Sequence, residues 1–145
     1  ASVEYTPSVF VMKPLADFGP TVGPLVGPVT APKLDGTKDL KATQTGGDPD
    51  NTQLSWTAPS TRSATFYEVY VYRLTSAASQ TAISNEARIV TTGTSVTIPP
   101  AILISGTYFF TIRAFHAPGS DVTTTPELRG STYGWADMVS GKVTF

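Results

Sequence analysis

The sequence predicts an all-β chain, and three observations carry that expectation. Thr, Ser, Val, Gly and Pro dominate while Leu and Met are sparse, which is the composition of short strands joined by turns. No long stretch repeats apolar residues at helical spacing. Two segments, residues 66–73 and 108–115, alternate with the period of two that a half-buried strand requires.

Residues 1–32 read as an extended arm. Pro7, Pro14, Pro20, Pro24, Pro28 and Pro32 punctuate it, and Gly19, Gly23 and Gly27 interleave with them. The repeat Gly19-Pro20-Thr21-Val22, Gly23-Pro24-Leu25-Val26, Gly27-Pro28-Val29 excludes a helix, because proline lacks the N–H a helix interior needs, and favours a polyproline-like course. A disordered linker is polar. This arm carries Tyr5, Val9, Phe10, Val11, Leu15 and Phe18, so it needs a surface to lie on.

Residues 33–145 read as strands and turns. Leu40 and Ala42 open a first strand, and Gly46-Gly47-Asp48-Pro49-Asp50-Asn51 is a turn by composition. Residues 52–57 form a second strand with Leu54 and Trp56 on one face, and residues 66–73 a third. A small-residue loop is expected over 76–84, then strands at 86–91 and 95–98, the latter ended by Pro99-Pro100. Residues 108–115 make the sixth strand. A long loop over 116–133 leads to a last strand at 142–145, about seven strands in all.

These residues resemble the fibronectin type III family over positions 33–145. Leu54-Ser55-Trp56-Thr57-Ala58-Pro59 is similar to the family's L-x-W-x-x-P motif around a buried tryptophan, and Tyr67, Val69 and Val71 to its third strand. Gly106-Thr107-Tyr108, followed by Phe110, Ile112 and Ala114, is similar to the sixth strand with its tyrosine corner. Ser105 stands where the family usually has proline, and Tyr108 comes one residue early. The resemblance implies an immunoglobulin-like, seven-stranded β-sandwich with the arm added in front. Without cysteine, the immunoglobulin Cys-Trp-Cys framework and thiolate metal sites are excluded.

Little in the chain is suited to catalysis. His116 is the sole histidine, so a His-based metal cage is impossible, and it reads as an ordinary loop residue. Asp48 and Asp50 lack the spacing and closing Glu of a calcium loop and read as an Asx turn. No glycine-rich loop has the Lys and Ser/Thr of a phosphate cradle. Arg129-Gly130-Ser131 falls short of the Arg-Gly-Asp attachment tripeptide. No enzyme activity and no cofactor are expected. With 14% charged residues and a net charge of −1, nucleic acid is not an expected partner. No apolar run approaches the ~18 residues of a membrane-spanning helix. The chain opens at Ala1 without an initiator Met, which fits a mature exported product, so an extracytoplasmic location (secreted, periplasmic or cell-surface) is expected.

Strand parity is the most informative feature. If Tyr67, Val69, Val71, Tyr108, Phe110 and Ile112 face the interior, then Glu68, Tyr70, Tyr72, Phe109, Arg113 and Phe115 face outward. At ~150–250 Å² per ring, the four outward rings make a patch of ~600–1,000 Å². The largest apolar patch of a soluble monomer is ~300–600 Å², so something covers it: the chain's own arm, a neighbouring copy's arm, or a glycan. The expected function is a non-catalytic structural or adhesive protein-interaction module of an extracellular or cell-surface assembly. Its partner-binding residues are Val9, Phe10, Val11, Tyr70, Tyr72, Phe109, Arg113 and Phe115. The alternative is a carbohydrate-binding or accessory module of a secreted enzyme, with Tyr133 and Trp135 near the long loop, or the outward rings, as its stacking platform.

Overall fold

Pro32, read as the end of the arm, lies inside a strand. In the computed structural model, which describes residues 4–77, 80–124 and 132–145, the strands are β1 (Val9–Met12), β2 (Thr30–Leu34), β3 (Lys38–Asp39), β4 (Gln44–Thr45), β5 (Gln53–Thr57), β6 (Phe66–Ala77), β7 (Gln80–Thr91), β8 (Ser95–Thr97), β9 (Thr107–His116), β10 (Tyr133–Val139) and β11 (Val143–Thr144). A proline has no N–H for a ladder and is tolerated at an irregularity. Here the β2–β5 register shifts between Thr30 and Lys33, and Ala31 takes a left-handed φ of 44°. The first strand of the body is therefore β2, which runs across the junction expected between residues 32 and 33. Leu40, expected in a strand, sits instead in a buried turn whose N–H donates to the Pro32 carbonyl at 3.0 Å.

The chain is all-β and forms two sheets. The smaller has the order β3-β2-β5-β8. In the larger, β7 pairs with β6, β6 with β9, and β9 with both β10 and β11 along its other edge. β1 adds to β10 antiparallel, and β4 adds to β11 in parallel. One apolar core lies between the sheets: Leu34, Leu54 and Trp56 from one, Tyr67, Val69, Val71, Tyr108, Phe110 and Ile112 from the other. The parity of β6 and β9 is as the alternation requires. Val26 and Val29, at the end of the Gly-Pro repeat, are part of the same core.

Two further expectations are corrected. Where a loop was expected over 76–84, the described residues are strand: β6 and β7 pair down to Ala77 and Gln80, because small and β-branched residues such as Thr75, Thr81 and Ile83 serve a ladder as well as a loop, and residues 78–79 lie outside the described ones. The long loop does not lead straight to 142–145. It gives way to β10, whose Gly134 and Asp137 weaken the strand signal. The turn before β5 is an Asx turn, with Asp48 Oδ1 accepting the Asp50 N–H at 3.0 Å. Arg129-Gly130-Ser131 lies outside the described residues.

The buried Tyr108 hydroxyl accepts the N–H of Ile104, four residues upstream, at 3.0 Å. This ties the turn before β9 to the core. Tyr108→Phe keeps the ring and removes the acceptor, with an expected cost of about 1 kcal/mol, seen as a fall in Tm of about 4 °C. An unchanged Tm would mean that the turn is held by other contacts.

Candidate functional site

The outer face of the larger sheet carries a polar row flanked by rings. Cross-strand pairing places Glu68 opposite Arg113 and Arg113 opposite Asp137. Arg88 on β7 bonds Glu68, whose side chain is buried. Arg113 makes a two-pronged contact with Asp137, Nε to Oδ1 at 2.6 Å and Nη2 to Oδ2 at 2.9 Å. The fork geometry suits guanidinium and carboxylate and makes such bonds strong. The row carries two charges of each sign and is neutral, as burial demands.

The arm closes this row. Ser8 donates from its N–H and its hydroxyl to Asp137 Oδ2, at 3.2 and 2.7 Å, and its carbonyl accepts the Asp137 N–H at 3.0 Å. The same hydroxyl accepts the Trp135 indole N–H at 3.2 Å. Phe10, opposite Trp135 in the β1–β10 ladder, stacks on its ring with centroids 4.1 Å apart and planes 14° apart. On the row's other flank, Tyr5 packs on Tyr72 and Phe109, at 5.3 and 5.0 Å between centroids, and its hydroxyl donates to that of Tyr72 at 3.3 Å.

The rings expected to be outward are therefore sheltered by the chain itself. Phe109 and Phe115 are only 5% and 1% exposed, while Tyr70 and Tyr72 are half-buried. Phe115 stacks with Phe66 at 4.6 Å in a small second cluster that Val122, Tyr133 and Trp135 flank. Arg113 lies over Tyr70 and Trp135, 5.3 and 4.8 Å from the ring centres, each a cation–π contact. Trp135 thus has Phe10 on its ring and Arg113 over it. Of the three arm residues expected to bind, Val9, Phe10 and Val11, Phe10 reaches the rings; Val9 and Val11 have the opposite parity and lie off this face.

Tyr5, Ser8, Arg88 and Asp137 complete the site and were not singled out from sequence. Asp137 stands two residues after Trp135, so recognising β10 as a strand would have placed both on one face. His116 is at the end of β9 with Nδ1 at 3.0 Å from the Ser63 carbonyl, away from the polar row. Among the described residues, no three His, Cys, Asp or Glu cluster to hold a metal, and no helix is long and apolar enough to cross a membrane.

Burial of the face raises its phenols. Tyr70 is pushed up to about 12 by burial first, then by the hydrogen bond it donates to Glu68 and by that carboxylate's charge. Tyr72 is raised by burial and by its bond with Tyr5. Since the folded values lie above the ordinary 10.0, the stability tied to these protons is intact below pH 10 and is lost as pH climbs through the folded values. Phenolate absorbance should show a late titrating class that Tyr70→Phe and Tyr72→Phe each reduce. Titration of every tyrosine near the ordinary value, with the fold intact, would contradict this packing.

No family model, curated protein or solved structure matches the chain.

Proposed function

We propose that this chain is a non-catalytic, fibronectin type III-like structural or adhesive module that works outside the cytoplasm by protein–protein contact through its arm. The observation that carries the proposal is the arm's docking: Ser8 and Phe10 seal the polar row and Trp135, so the aromatic face is used for holding β1 in place. What β1 presents outward is an apolar sheet edge, the kind of surface that takes up a partner's backbone. The strand order of the two sheets, the buried Trp56 and the Ile104–Tyr108 hydrogen bond support the fibronectin type III reading. Occupation of Trp135 by Phe10 and Arg113 argues against the carbohydrate platform, which needs an open ring face.

A photo-cross-linker at Val9 in the producing cell tests the proposal, with Thr97 on the smaller sheet as control. Expected is a discrete protein adduct at Val9, identified by mass spectrometry and absent from Thr97. The proposal fails if neither position gives an adduct, or if the purified chain binds a glycan array and Trp135→Ala abolishes that binding.

A further inference from the structure

We infer that the free edge of β1 is a homotypic interface, at which two copies join their larger sheets by antiparallel β1–β1 pairing centred on Phe10. The contact rests on the reading of the chain as a protein-interaction module and names its partner: a second copy.

The edges of the described strands differ in kind. β7 is long, but its pairing is broken at Glu86, between the partners of Val71 and Tyr72, and Arg88 follows; a bulge and charges are devices that blunt an edge. β3, β4 and β8 are only two or three residues long. β1 has neither charge nor proline, and its Val9 and Met12 are 61% and 47% exposed. Among the described residues, β10 alone pairs with it.

Hydrogen-bond phase tells which groups are on offer. The Asp137 N–H donates to the Ser8 carbonyl, and the ladder continues from Val9 opposite Ala136 to Met12 opposite Tyr133. Bonded pairs alternate along an antiparallel ladder, so positions 8, 10 and 12 turn to β10. The N–H and carbonyl groups of Val9 and Val11 turn to the open edge. A two-fold axis normal to the sheet keeps each side chain on its own face, so paired positions must share parity. Centring on Phe10 puts Val9 opposite Val11 of the second copy, twice over, and makes four backbone hydrogen bonds. The two Phe10 rings meet as a non-hydrogen-bonded pair, where Cα atoms approach to ~4.5 Å, and Ser8 faces Met12. No charge meets a like charge. Centring on Val11 instead would draw Lys13, next to Pro14, into the ladder.

Two strands of four residues bury less than the ~1,000 Å² of a durable interface. The dimer is accordingly weak and gains strength where copies are crowded or tethered.

The test uses the whole chain, in sedimentation equilibrium and amide NMR up to ~1 mM, a range that reaches the weak limit of association. The average mass should rise towards the dimer, with concentration-dependent shifts at the Val9 and Val11 amides. Val9→Pro removes an outward N–H and no bond to β10, and Val9→Lys sets a positive charge in the contact. Both should weaken association at least ~10-fold, while NMR still shows the Phe10–Trp135 ring contact. A wild-type chain that stays monomeric, shifts centred on β7, or variants that associate as tightly as wild type would each overturn the inference. Should wild type stay monomeric while Val9 still cross-links to a different protein in cells, the homotypic contact falls and the proposed function stands.

Discussion

Replacing Arg113 by Ala is expected to destabilise the chain by about 3–5 kcal/mol. The side chain of Asp137 is 2% exposed, so removing its cation leaves a buried carboxylate with Ser8 as its remaining partner among the described residues and cut off from water. Two cation–π contacts, over Tyr70 and Trp135, are lost with it. Against a total of roughly 5–15 kcal/mol for a native domain, the urea midpoint should fall by about a fifth or more of its value. Arg113→Lys keeps the charge but not the fork, and should recover only part of the loss. The pair itself is a different matter: replacing Arg113 and Asp137 together by Met and Leu should restore most of the stability, because the desolvation cost of both charges disappears. A single mutant as stable as wild type would mean that the row is hydrated and not sealed.

Gly134→Val is expected to release the arm. A Cβ built on Gly134 would stand 2.6 Å from the Phe10 carbonyl oxygen and 3.1 Å from Leu25 Cβ. Backbone cannot yield like the tip of a flexible side chain, so either β1 or β10 must move. β1 is the end strand, held by one neighbour, and is the part that goes. Expected are fast amide exchange over residues 8–12, a change in Trp135 fluorescence as the Phe10 stack opens, and a loss of about 3 kcal/mol, at the upper end for overpacking. The core between the sheets, where Val69, Phe110 and Ile112 are fully buried, should keep its slow exchange. Retention of arm protection in this variant would mean that Leu25 and the arm accommodate the side chain.

Both effects fall on features that the sequence shows unevenly. The alternation in residues 66–73 and 108–115 was legible because apolar and aromatic residues recur at every second position on the inward face, and it led directly to the core parity and to the outward rings. That these rings need a cover followed from their area. Which residues of the arm supply it did not follow, since Ser8 acts through its place beside Asp137 on β10 and Tyr5 through packing on Tyr72 and Phe109, and both depend on long-range register. β10 itself was obscured by Gly134 and Asp137, two residues that strands disfavour. Here both are required by the arm: Gly134 for close approach of Phe10 and Leu25, Asp137 to bind Arg113 and Ser8. Pro32 misled for a related reason, because an irregularity in the β2–β5 pairing accommodates a residue that a regular ladder would reject.

The arm lies against its own sheet, with Tyr5, Ser8 and Phe10 over the outer face. Proton–proton contacts measured by NMR in dilute solution address this most directly. Contacts from the Phe10 ring to the Trp135 indole and from the Tyr5 ring to Phe109 are expected together, with a slowly exchanging Asp137 amide. Absence of both ring contacts, with the Trp135 indole N–H exchanging freely with water, would contradict it.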